Sequence, residues 1–107
     1  INQALLKEAD MILKRIPQNS ELYTLCIEGK ELSSEQFAEK IDALQSGGKS
    51  LTFVIGSSYG ISNKVKALAN FKLSFSKMTF PHQLFRVMLL EQIFRAFKIN
   101  EGSAYHK

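Results

Sequence analysis

An open α/β fold with a mostly parallel sheet and flanking helices is the architecture that this sequence of 107 residues predicts. Two observations point to it. Three short apolar runs, ELYTLCIEG, SLTFVIG and FKLSFS, alternate with segments whose apolar residues recur at helical spacing, and such alternation builds parallel sheets. The first two runs have continuous apolar centres, which suits strands covered on both faces rather than strands with one wet face. The length is that of one domain, so residues 1–107 are read as a single unit.

Taken in order, Leu5, Leu6, Ala9, Ile12, Leu13 and Ile16 mark a helix over residues 3–16 that ends before Pro17. It begins without a cap or a preceding turn, which gives the expectation that an N-terminal portion is missing. Glu21–Gly29 is the first strand, closed by its glycine. In LSSEQFAEKIDALQSGG, Ser33 or Ser34 caps a second helix, Phe37, Ile41 and Leu44 form its apolar stripe, and Gly47-Gly48 stops it. Ser50–Gly56 is the second strand, SNKVKALAN a short helix and FKLSFS the third strand. A long helix from about Pro81 to Lys98 follows, with Pro81 in its first turn and Thr79 placed to cap it. Its residues Leu84, Val87, Met88, Leu90, Ile93, Phe94 and Phe97, widened by Phe85 and Leu89, are too dense for one face. Such a helix is either a subunit interface or a core helix buried within one subunit.

Composition narrows the function classes. With 45% hydrophobic and 22% charged residues the chain can bury a core. Cys26, the one cysteine, rules out an internal disulfide framework and fits a reducing, cytoplasmic compartment; its apolar run suggests a buried, inert thiol. Two histidines and one cysteine show no ligand spacing, so no metal is expected. No apolar run is long enough to span a membrane. The net charge of +4 hides an asymmetry: residues 1–48 carry five Lys/Arg against eight Asp/Glu, net −3, whereas residues 49–107 carry nine against two, net +7. A basic half of this kind suits a polyanionic partner, nucleic acid foremost, or is ordinary solubilising charge.

Open parallel sheets bind ligands beyond the carboxyl ends of their strands. That singles out Leu25–Gly29, Gly56–Ser62 and Phe75–His82. IGSSYG has neither the ending of a phosphate-binding loop nor the dinucleotide glycine pattern, and taken alone it reads better as a plain strand-to-helix turn. SFSKMTFPHQ offers the free N–H groups of a helix start beside Phe75, Met78 and Phe80. It is either a slot for a flat heteroaromatic ring or a capped core helix with a hydrophobic staple. Arg86 and Arg95, nine apart on the long helix, point to opposite sides, as phosphate contacts or as exposed arginines. In the tail GSAYHK, Tyr105 could stack on a base, His106 could move a proton near neutral pH and Lys107 could meet a phosphate; the alternative is a disordered end.

FVIGSSYGIS, LSFSKMTFPHQLFRVMLLEQIFRAFKI and the terminal YHK closely resemble the small SPOUT-class RNA methyltransferases of bacteria. These enzymes methylate ring nitrogen 3 of a pseudouridine in large-subunit (23S) ribosomal RNA. The resemblance runs from the first helix to the last residue and is strongest over residues 51–107. It implies that the C-terminal part is threaded as a trefoil knot, an exception to the rule that chains are unknotted. It implies S-adenosyl-L-methionine as cofactor, held by Leu25, Gly56, Phe75, Ser76, Lys77, Met78, Thr79 and Phe80. It also implies a homodimer in which the tail of one subunit completes the site of the other. Arg86, Arg95 and Lys107 are then candidates for RNA contact, and His106 and Tyr105 for base positioning or proton transfer. Two departures stand out. The family's glycine loop usually begins with two glycines, where this sequence has Gly56-Ser57, and family members are longer, by a strand–helix–strand unit on the N-terminal side.

The reading that follows is a cytoplasmic methyltransferase acting on ribosomal RNA in the assembled ribosome. A non-catalytic RNA-binding or ribosome-associated module with the same fold is the alternative, and an enzyme of the same class acting on another nucleotide is a third.

Overall fold

The computed structural model describes residues 2–56 and 61–106; Ser57 and Lys107 lie outside the described residues. The elements run α1 (Asn2–Arg15), β1 (Ser20–Glu31), α2 (Ser34–Ser46), β2 (Ser50–Ile55), α3 (Asn63–Leu68), β3 (Phe71–Ser74) and α4 (His82–Asn100). The three strands form a sheet in the order β2-β1-β3, and both pairings are parallel. The α/β class with a parallel sheet is as expected, and the central strand explains its own sequence. Residues on alternate sides of β1 meet different helices, so residues 22–25 at its centre are buried on both sides.

On one face, Leu25 and Leu73 pack with Phe37, Ala38 and Ile41 of α2 and with Leu89 and Ala96 of α4. On the other, Leu22 and Val54 pack with Ala9 of α1 and Val65 of α3. Tyr23 ties the three strands together on the α2/α4 side, its ring 5.7 Å from Phe53 and 5.2 Å from Phe71. Thr24 points the other way and is fully buried, and its Oγ1 has no hydrogen-bond partner among the described residues.

Helix ends follow their local chemistry. Ser33, not Ser34, caps α2: its Oγ accepts from the Gln36 amide at 3.0 Å, and Gln36 Oε1 accepts from the Ser33 amide at 2.9 Å. The exit of α2 needs Gly48 at φ +70°, a conformation glycine adopts without strain. Ser62 Oγ caps α3. Asn70, just before β3, is bound twice to β1: its amide donates to the Leu22 carbonyl at 2.8 Å, and its Oδ1 accepts from the Leu22 amide at 2.7 Å.

Three expectations need correction. β1 does not close at Gly29 but continues to Glu31 through an irregularity. Leu25 pairs with Leu73, and so does Lys30, so residues 26–29 bulge out of register over β3. α4 runs on past Lys98 to Asn100, whose Nδ2 donates to the Ala38 carbonyl at 3.1 Å. Its start also differs. Pro81 occupies the cap position itself, with no side-chain cap bond, and its carbonyl accepts from the Leu84 and Phe85 amides. Thr79 therefore does not cap the helix.

Only one face of α4 is covered. Leu89 and Ala96 are buried, whereas Leu84, Val87, Leu90, Phe94 and Phe97 are between 40% and 62% exposed. At 100° per residue these five fall on one broad stripe opposite the buried face.

Candidate functional site

The carboxyl ends of the three strands converge on a cavity of about 590 Å³. β1 contributes Leu25 and, from its bulge, Cys26, Ile27 and Glu28. β2 contributes Ile55, with Gly56 directly after it. The segment after β3 supplies Phe75, Ser76, Thr79 and Phe80, and the first turn of α4 supplies His82 and Phe85. Described residues of all three loops singled out from the sequence, Gly56 and Ile61 for the second, are thus brought together at one place. Parallel topology is the reason, because every strand ends on the same side of the sheet.

The loop after β3 is shaped by two serines. Ser74 Oγ donates to the Ser76 carbonyl at 3.0 Å, and Ser76 Oγ accepts from the Met78 amide at 3.0 Å. These bonds fold residues 74–78 into a tight turn that brings Phe75 and Phe80 to the ring of Phe85, at centroid distances of 6.2 and 5.4 Å. The three rings form an aromatic wall, edge-to-face at Phe80–Phe85 with an interplanar angle of 87°.

Of the eight residues expected to hold a cofactor, Leu25, Gly56, Phe75, Ser76, Thr79 and Phe80 line the cavity. Lys77 and Met78 do not; Met78 is 70% exposed and so is not part of the apolar slot. Cys26 is half-buried and lines the cavity, rather than lying buried in the core.

Two charged residues that sequence reasoning missed also line it. Lys66 Nζ on α3 lies 2.6 Å from Glu28 Oε1 in the β1 bulge. The Lys66 hydrogen bond holds the Glu28 carboxyl below the usual carboxylate range. Phe85 was visible in sequence only as extra apolar surface. Its place in the first turn of the helix that follows the Phe75–Phe80 loop is the signal that would have assigned it.

Tyr105 and His106 pack against their own chain and do not line this cavity. Arg95 Nη1 lies 3.0 Å from His106 Nδ1, and His106 Nε2 lies 3.0 Å from Glu35 Oε2. A guanidinium only donates, so Nδ1 accepts and the ring hydrogen sits on Nε2, facing the carboxylate. That hydrogen bond lowers the Glu35 pKa from its ordinary value. The Tyr105 ring packs edge-on against Phe94 at 5.0 Å and beneath the Arg95 guanidinium, and its Oη donates to Glu91 Oε2 at 3.4 Å. Arg95 also holds Glu91 at 2.7 Å, so its partners are within the chain. Arg86 is exposed on α4. Neither His106 nor Tyr105 reaches the cavity that their own strands form.

Among the described residues no group of three or more His, Cys, Asp or Glu is placed to hold a metal ion, and no helix is long and apolar enough to cross a membrane.

Residues 1–106 match the family model described as "Predicted SPOUT methyltransferase". The chain is similar to "Ribosomal RNA large subunit methyltransferase H" of Clostridium acetobutylicum, with 56% identity over 102 residues, covering 94% of this chain and 64% of that protein. The same identity and coverage hold for the protein of that name from Bacillus cytotoxicus. The one from Clostridium botulinum (strain Kyoto / Type A2) is 54% identical over 102 residues. The chain thus spans 64% of the length of these curated relatives.

Proposed function

This chain belongs to the SPOUT methyltransferase family, and on that premise we propose that it methylates large-subunit ribosomal RNA, at N3 of a pseudouridine, using S-adenosyl-L-methionine. The observation that carries the reading is the convergence of Leu25, Gly56 and the Phe75–Phe80 loop on one cavity beyond the strand ends. Relatives at 54–56% identity carry the name of a ribosomal RNA large subunit methyltransferase. In the whole protein the C-terminal segment is knotted, as in the family, and the enzyme works in the cytoplasm.

The residues present fit the cofactor. A cavity of about 590 Å³ suits a nucleoside-sized ligand. Phe75, Phe80 and Phe85 offer an apolar wall for a flat ring, and Ser76 and Thr79 bring hydroxyls to it. When bound, S-adenosyl-L-methionine supplies an electrophilic methyl on its sulfonium. The chain's part is then positioning and exclusion of water around that methyl, with removal of a proton from the base.

The proton is the harder problem, since a pseudouridine N3 is poorly nucleophilic until it is deprotonated. His106 and Tyr105 are proposed for base positioning or proton transfer, acting at the cavity of a second subunit because they do not reach their own. The exposed apolar stripe Leu84, Val87, Leu90, Phe94 and Phe97 supports the homodimer that this requires. Arg86, Arg95 and Lys107 are the proposed RNA contacts, on the half of the sequence with net charge +7 from nine Lys/Arg against two Asp/Glu.

Two measurements on the intact protein test the reading. Calorimetric titration with S-adenosyl-L-methionine is expected to show saturable binding; none would favour a non-catalytic ribosome-associated module. Methyl transfer to assembled ribosomes is expected only where the pseudouridine is present, and equal labelling of ribosomes lacking it would remove the substrate assignment.

A further inference from the structure

Glu28 and Lys66 are the only Asp, Glu, Lys or Arg among the described residues lining the cavity, whose other walls are mostly apolar or hydroxylated. They come from different elements. Glu28 sits in the β1 bulge, which Gly29 allows to lie directly against β3, and Lys66 sits on α3 beside the fully buried Val65. The Lys66 side chain is 22% exposed and that of Glu28 54%. An ion pair this accessible adds little to folding stability. Its position in the cavity wall therefore asks for another explanation.

We propose that the Glu28–Lys66 pair is the polar end of the cofactor site and receives the zwitterionic amino-acid end of S-adenosyl-L-methionine, Lys66 taking the carboxylate and Glu28 the ammonium. The inference rests on the reading of this cavity as the cofactor site. Its basis is the match of charges. A zwitterion inserted between the two residues exchanges one ion pair for two charge-assisted ones, and neither protein charge is left unpaired in a partly desolvated place. A ribose diol would call on the carboxylate alone and leave the lysine without a role. An RNA phosphate would have to compete with Glu28, already 2.6 Å from the ammonium. Lys66 also keeps the Glu28 carboxyl acidic, so it carries its negative charge at neutral pH.

The test compares two nucleosides that differ at one end. S-adenosylhomocysteine carries the amino-acid group, and 5′-methylthioadenosine has the same adenosine and thioether without it. Calorimetric affinities of both are measured for the intact protein and for Lys66→Met, Glu28→Gln and Lys66→Arg. Lys66→Met and Glu28→Gln are expected to weaken S-adenosylhomocysteine by roughly tenfold or more and to change 5′-methylthioadenosine by less than about twofold, with Lys66→Arg close to the parent. Both side chains are accessible, so thermal unfolding of the variants should stay near that of the parent. Equal losses for the two ligands would show that the pair shapes the cavity without reading the amino-acid end, and unchanged affinities would show no role; either overturns the inference. Absence of binding by the unsubstituted protein would overturn the cofactor reading itself, a result distinct from both.

Discussion

Gly29 and Lys72 approach each other so closely that no side chain fits between them: a Cβ on Gly29 would lie 2.7 Å from the Lys72 carbonyl oxygen. The obstacle is backbone, including the Leu73 carbonyl carbon at 2.8 Å, so it cannot swing aside. Gly29→Ala must push β1 and β3 apart where the bulge folds over. We expect a loss of about 1–3 kcal/mol in denaturant unfolding, with weaker binding of S-adenosyl-L-methionine because residues 26–28 line the cavity. Unchanged unfolding would mean that the bulge relaxes freely.

Asn70 extends the β1–β3 pairing with its side chain. Asn70→Ala strips the buried Leu22 amide of its acceptor while leaving the Asn70 backbone bond in place. A cost of about 1–3 kcal/mol is expected, and Asn70→Asp, which keeps an acceptor at that position, should lose less. Equal losses in the two variants would remove the hydrogen bond as the cause.

Thr24 gives the opposite sign. Its hydroxyl is buried without a partner among the described residues, so Thr24→Val exchanges that polar group for a methyl of similar size. Unfolding is expected to show stabilisation of up to about 1 kcal/mol. Destabilisation would reveal a partner for Oγ1 that the described residues do not include.

The tail predicts a pH effect. The folded-state pKa of Glu35 is lowered, chiefly by the hydrogen bond from His106. The stabilising contribution of such a group is present above its unfolded pKa, near 4.5, and is lost as pH falls through the lower folded value. In a carboxylate NMR titration Glu35 should titrate below its ordinary range, and His106→Ala should return it upward. A Glu35 titration that ignores this substitution would place the tail elsewhere in solution.

The exposed stripe of α4 predicts an assembly effect. Leu90 is 59% exposed, so Leu90→Glu should leave the subunit folded. In sedimentation the intact parent is expected to run as a dimer and Leu90→Glu as a monomer. Dimers in both would put the interface on another surface.

The parts of this fold that could be read in sequence are those fixed by neighbouring residues. The strands show as continuous apolar runs because helices cover both faces of β1. The Ser33–Gln36 cap and the Gly48 exit lie within single helix ends. Three carboxyl-end loops could be foreseen as one site because parallel connection forces their ends together. The parts that stayed hidden depend on distant partners. Gly29 looked like a strand terminator because nothing local says that β3 runs against it. Glu28 and Lys66 are 38 positions apart, and Glu35 and His106 are 71 apart. Thr79 was a reasonable cap by position, but the Ser74–Ser76 bonds turn the chain earlier and leave the cap position to Pro81.

Tyr105 rests on Phe94, a member of the exposed stripe of α4. Whatever surface covers Phe94 therefore competes with that ring for the same face or must accommodate it. Occupancy of the stripe and position of the tail become thermodynamically linked: each shifts the other's equilibrium by the same factor. The last residues of the chain thereby report on whether its longest helix has found a companion.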